Sequence, residues 1–264
     1  MSAPNTEATG KPTPIAGCMI FCVLLGMATF IAVFSTYQYK EYKAEIINIS
    51  QLEQKKTAVA SLDDKTKVDA FDQKMKAFEK AVKAGEKSTL NLKAEELNLA
   101  IALFPKLESF EGEMYIREIT EKAIIADISF PVRAGFDGDR YLNGSMTMKP
   151  VIAMGSVFPV VSEISPDTGN PVPPKMTREF PTLLFTEYRN DEELSEVFHK
   201  LSKVTLSNGM ISILSDPAIE QPDALPDDVE YEANRAIYVF GLLIFMFIST
   251  IAFILWYKKF RQQQ

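Results

Sequence analysis

The sequence predicts an α+β chain, with two transmembrane helices flanking a juxtamembrane helical segment and one small antiparallel-sheet domain with two helices. Three observations predict it. Two uncharged apolar blocks, Ile15–Tyr37 and Ile237–Tyr257, lie near the ends. Between the first block and the rest runs Gln38–Ala84, rich in Lys, Glu, Asp, Gln and Ala and free of Pro and Gly. Ser88–Asp216 then mixes short alternating runs with Gly, Pro and Asn turn signals, the pattern of a half-buried sheet.

A helix rises about 1.5 Å per residue and the hydrocarbon core of a bilayer is about 30 Å thick, so each apolar block is long enough to cross it. The first block lacks the basic n-region and small-x-small cleavage site of a signal peptide, and Ile15-Ala16-Gly17-Cys18, though lipobox-like, precedes its apolar segment instead of following it. Trp256 and Tyr257, followed by Lys258, Lys259 and Arg261, read as an interfacial belt and a cytoplasmic anchor. The expected layout is a cytoplasmic N-terminus (1–14), a span (15–37), a helical segment (38–84), an extracytoplasmic domain (88–216), an acidic Pro-containing linker (217–236), a second span (237–257) and a basic cytoplasmic tail (258–264). That makes a multi-pass protein of the inner membrane with both termini cytoplasmic. Cys18, Cys22 and Gly26 recur every four residues, a small-residue stripe suited to close helix packing.

In the helical segment Val68, Phe71, Met75, Phe78 and Val82 step by three and four, a coiled-coil-like seam. It serves either self-association or the chain's own core, and the second reading is favoured. Ser61-Leu62-Asp63-Asp64 supplies capping residues for a break. A hairpin near Leu62, or a domain packed along the helix, fits the geometry better than a straight rod, which would reach about 70 Å.

In the domain, Ser88–Leu92 alternates as a strand, and Leu97, Ala100, Ile101 and Phe104 mark a helix that stops at Pro105. Met114–Ile119 and Ala123–Phe130 read as strands about a Thr120-Glu121-Lys122 turn, Gly144–Met148 as a third, and Val151–Val161 as an apolar run punctuated by Gly155 and Pro159. Asn190 and Glu193 fit a capping box opening a helix along Leu194, Val197, Phe198 and Leu201. Lys203–Ser207 and Met210–Leu214 form a hairpin about Asn208-Gly209, which supplies the positive φ angles of a type I′ turn.

Lys and Arg total 28 against 35 Asp and Glu, a net charge of −7, which argues against a nucleic-acid partner. One histidine and two cysteines leave almost nothing for a zinc site or a Cys/His pair. His199 stands near Glu196, an ordinary helix-surface pair. Asp137, Asp139 and Asn143 offer oxygens to calcium, but Tyr141 occupies a position where an EF-hand needs an acceptor, so no metal is expected. Arg140 and Tyr141 are instead the candidate contacts for a ligand or partner at a sheet edge. Asn48-Ile49-Ser50 and Asn143-Gly144-Ser145 are glycosylation sequons, meaningful only where the exterior is an ER lumen. No phosphate-binding loop, dinucleotide fingerprint or nucleophile elbow is present.

Leu90-Asn91-Leu92-Lys93-Ala94-Glu95-Glu96-Leu97-Asn98 resembles the strand-then-helix opening of bacterial membrane-anchored extracytoplasmic proteins of the YpmS-like kind, and Arg140-Tyr141-Leu142-Asn143-Gly144 resembles an element of bacterial envelope proteins. Lys93 stands where such proteins usually carry a Thr or Ser cap, and a second span is a further departure. The resemblance implies a β-rich, ligand-holding exterior domain without an established reaction, and adds Asn98 and Asn143 to Arg140 and Tyr141 as contact positions. The expected function is a non-enzymatic scaffold or binding module in the cell envelope, needing no cofactor. Its partners are the lipid bilayer and a second copy or another membrane protein, met through the first span or residues 68–82. The alternative is a carrier of an apolar, lipid-like ligand.

Overall fold

The computed structural model describes residues 14–133, 138–153, 155–178 and 196–222. These fall into two units: the chain up to Glu41, and the chain from Tyr42 onward. The elements in order are α1 (Pro14–Ile49), α2 (Lys65–Lys83), β1 (Ser88–Lys93), α3 (Ala94–Leu103), a 3₁₀ turn (Pro105–Phe110), β2 (Met114–Ile119), β3 (Ile124–Arg133), β4 (Asp139–Ala153), β5 (Ser156–Pro166), β6 (Lys203–Ser207) and β7 (Met210–Ser215). One sheet runs β2-β3-β4-β5 and the other β1-β7-β6, both antiparallel. The α+β expectation holds in this coarser form, with two sheets where one was expected.

Among the described residues no helix is long and apolar enough to cross a membrane. Over the described residues this contradicts the expected transmembrane helices and, with them, the membrane assignment and the multi-pass inner-membrane topology. The uncharged stretch of α1 ends at Tyr39. The same helix then continues through Lys40, Glu41, Lys43 and Glu45. The second apolar block, Ile237–Tyr257, lies outside the described residues, as do the tail 258–264 and the linker beyond Pro222.

The expected 38–84 helical segment is two helices joined by an extended strap, Ser50–Asp64, so the break comes at Ser50 and not near Leu62. Asp64 caps α2 by accepting from the Lys67 N–H at 3.2 Å, as the sequence suggests. The Val68–Val82 seam faces inward: Phe71, Phe78 and Val82 are buried, with Val68 and Met75 packed beside them. Phe71 meets Phe104 beyond α3, ring centroids 6.1 Å apart. The core joins this face of α2 to Leu99 and Ile101 of α3, Leu90 and Leu92 of β1, and the inward residues of β2–β5. On β3 those are Ile124, Ala126, Ile128 and Phe130, the period-2 alternation of a one-faced sheet. At the far end the β6–β7 turn reaches back to β2, where the Gly209 N–H donates to the Ile119 carbonyl at 2.8 Å.

Candidate functional site

Arg140, Tyr141 and Asn143 stand together near the start of β4, but the fold uses their polar groups internally. The Arg140 guanidinium donates to the Ser50 carbonyl at 2.8 Å, the Ser50 hydroxyl at 2.9 Å and the Ile47 carbonyl at 3.5 Å. These carbonyls sit at the C-terminus of α1, where helical partners have run out and a cation is favoured. Tyr141 pairs with Gln51 through both main-chain bonds, at 2.8 and 2.9 Å.

Asn143, 2% exposed, has a fully used amide. Its Oδ1 accepts from the Ser129 hydroxyl at 2.7 Å and the Lys55 N–H at 3.1 Å. Its Nδ2 donates to Gln51 Oε1 at 2.8 Å and the Glu53 carbonyl at 2.9 Å. Two lone pairs and two protons are all an amide has, so the strap lies on the sheet with no capacity left for a ligand. Such burial also removes Asn143 from use as a glycosylation acceptor in the folded chain.

Asn98 lies elsewhere, on α3. Its amide donates to the Ile116 carbonyl at 2.8 Å and accepts from the Ile116 N–H at 2.7 Å. It stands in for a neighbouring strand and seals the outer edge of β2. Gln221 plays a related part: its Oε1 accepts from the Gly155 N–H at 2.8 Å while its Nε2 donates to the Phe198 and Leu201 carbonyls. His199 is exposed, its ring over Gly155 so closely that an added Cβ would lie 2.0 Å from it. Lys200, not His199, pairs with Glu196, at 3.2 Å.

Asp137 lies outside the described residues, and Asp139 pairs with Arg133 across the strands at 3.5 Å. Among the described residues no group of three His, Cys, Asp or Glu is placed to hold a metal. Cys18 and Cys22 lie on α1, their side chains outside the described ones, and nothing described lies within 4 Å of a Cβ added at Gly26.

What the described residues leave open is the outer edge of β5. Its direction follows from the ladder. The Ile116 N–H and C=O point away from β3, towards Asn98, so its cross-strand partner Ala126 faces β4 and pairs with Met146. Odd-numbered β4 residues therefore face β5. The Asp167 N–H confirms this by donating to the Asn143 carbonyl at 2.8 Å. On β5, Ser165 and Glu163 then face β4, and Ile164 and Pro166 face outward. The irregularity opposite Thr147 and Met148 shifts the phase, which turns Val161 and Pro159 outward as well. Both prolines thus sit where a missing N–H costs no ladder bond, a placement typical of edge strands. The sequence signal was available: Pro159 and Pro166 in an otherwise strand-like run demote it to an edge.

Against this edge lies an open groove of about 490 Å³, walled by Val161–Pro166 on one side and Gly169–Arg178 on the other. It falls within the roughly 300–1,000 Å³ typical of binding clefts. Its floor is apolar where Val161 and Ile164 enter the core, and Ser162, Glu163 and Ser165 are exposed at its rim. Nearby, Lys55 donates to Asp167 at 2.7 Å, a contact that raises the Lys55 pKa. Compared with known proteins, the chain matches no family model, no curated protein and no solved structure.

Proposed function

We propose that the chain is a non-enzymatic binding module whose docking surface is the groove along the outer edge of β5. The observation that carries this reading is that edge itself. It is the one flank of the four-stranded sheet with no partner strand or side-chain seal among the described residues, and a ligand-sized cleft runs beside it. The apolar-carrier reading finds less support, because the cavity beside Asn98 and Gly112 measures about 10 Å³, room for about one water.

Site-specific photo-cross-linking tests the proposal. A benzophenone side chain replacing the exposed Ser162 is expected to capture a discrete partner in source cells, and one replacing the exposed Lys122 in the β2–β3 turn is not. Equal labelling from both positions, or none from Ser162, overturns it.

A further inference from the structure

The reading of the β5 groove as a docking surface leaves open what docks there. We infer that it takes an extended polypeptide segment of a partner protein, added as a strand to β5 between Pro159 and Pro166, with a basic side chain beside Glu163.

The hydrogen-bonding pattern selects a polypeptide. An outward edge offers donors and acceptors at alternate residues, spaced to match another main chain and little else. On β5 that offer is confined. Pro159 and Pro166 have no N–H, and the Pro166 carbonyl is already taken by the Gly169 N–H at 2.9 Å. Between them the outward main-chain groups of Val161 and Ile164 have no hydrogen-bond partner among the described residues. The window is short, so a long strand cannot zip along it.

Charge selects a basic partner over a second copy. A two-fold pairing of β5 with itself, centred on this window, sets Glu163 diagonally across from its own counterpart, and like charges across a sheet are unfavourable. Each copy also carries a net charge of −7, which opposes self-association. A Lys or Arg beside Glu163 reverses both effects. The prolines and the charge together exclude edge-to-edge stacking and admit a short foreign strand.

The test uses the full chain and a displayed library of linear peptides about a dozen residues long. Selected peptides are expected to share a proline-free, β-branched centre with a Lys or Arg. N-methylation at alternate central residues is expected to weaken binding by about tenfold at one parity and to leave it unchanged at the other. In hydrogen exchange, the Val161 and Ile164 amides become protected on binding, whereas those of Glu163 and Ser165, already paired to β4, do not change. Glu163→Lys, at an exposed site, is expected to shift preference about two- to fivefold from basic to acidic peptides. Recovery of no peptide overturns the inference, as does binding that leaves the Val161 and Ile164 amides unprotected. In either case partner capture from Ser162 still stands as the separate test of the docking surface.

Discussion

Replacing Asn143 by alanine removes four hydrogen bonds at once, and the structure indicates what each loss costs. Ser129 is 0% exposed, so its hydroxyl keeps no route to water and loses about 1–3 kcal/mol. The Lys55 N–H, Glu53 carbonyl and Gln51 side chain lie on a partly exposed strap and can rehydrate, at about 0.5 kcal/mol each. The expected total is about 2–5 kcal/mol, a fall in Tm of roughly 4–20 °C for a domain of this size. Urea unfolding followed by far-UV circular dichroism measures it. Two further results distinguish a fastener from general damage. Asn143→Ala is expected to speed hydrogen exchange at the Lys55 and Asp167 amides before the sheet opens. In a double-mutant cycle, Ser129→Ala is expected to cost less in the Asn143→Ala background than alone, by about 1 kcal/mol, because the stranded hydroxyl is gone. A loss below about 0.5 kcal/mol, or strictly additive mutants, would refute the assignment.

Other substitutions follow the same logic. Asn98→Ala is expected to cost about 2–4 kcal/mol by stranding both main-chain groups of Ile116, whereas Asn98→Asp should recover stability as pH falls and its carboxyl regains a proton to donate; chemical denaturation across pH separates the two. Gly144→Ala drives a Cβ to 2.2 Å from the Ser165 carbonyl oxygen, a main-chain atom that cannot step aside, so about 1–3 kcal/mol should be lost in thermal melts. Lys87, 2.8 Å from Asp216, and the Ala218 N–H hold the Asp216 pKa below its ordinary value. That stabilisation is present above the usual Asp value near 3.9 and fades as pH falls through the lower folded value, so Asp216→Asn should lower Tm at pH 7 but not at pH 2. Burial raises the Glu113 pKa, which penalises folding as pH rises through the folded value. Glu113→Gln should therefore raise Tm at pH 7 and leave it unchanged at pH 3.

Much of the sheet architecture was legible because alternation and turn chemistry are local. Met114–Ile119 matches β2, and the Asn208-Gly209 hairpin falls where expected with Gly209 at φ +81°. Asn143-Gly144 shows the limit of that signal: the same dipeptide, suggestive of a turn, lies inside β4, where Gly144 lets β5 approach. What sets it apart is a contact with Ser165, which local sequence does not carry. Apolar content marks the transfer preference of a segment and not where a helix ends: α1 runs on past Tyr37 through Lys40–Glu45 to Ile49. Half of the expected capping-box helix at 190–201, residues 190–195, lies outside the described residues, and the described half is helical over 196–198.

Arg140 stands out in the sequence by its distinctive loop, and Asn98 and Asn143 by the resemblance alone; buried polar groups must in any case meet something. Sequence alone does not say whether they meet a ligand or the chain itself. Here each side chain meets main chain that no regular ladder serves: the end of α1, the strap, and the outer edge of β2. Gln221 does the same at Gly155. This leaves the four-stranded sheet with unequal flanks. On β2 the exposed pair of main-chain groups at Ile116 is closed by an amide from α3. On β5 the equivalent groups at Val161 and Ile164 receive no such seal among the described residues, and prolines shorten the edge. A flank that needed nothing more than protection from aggregation could be capped as β2 is. Shortening without sealing among the described residues keeps a few main-chain groups available, which is what a strand-accepting surface requires.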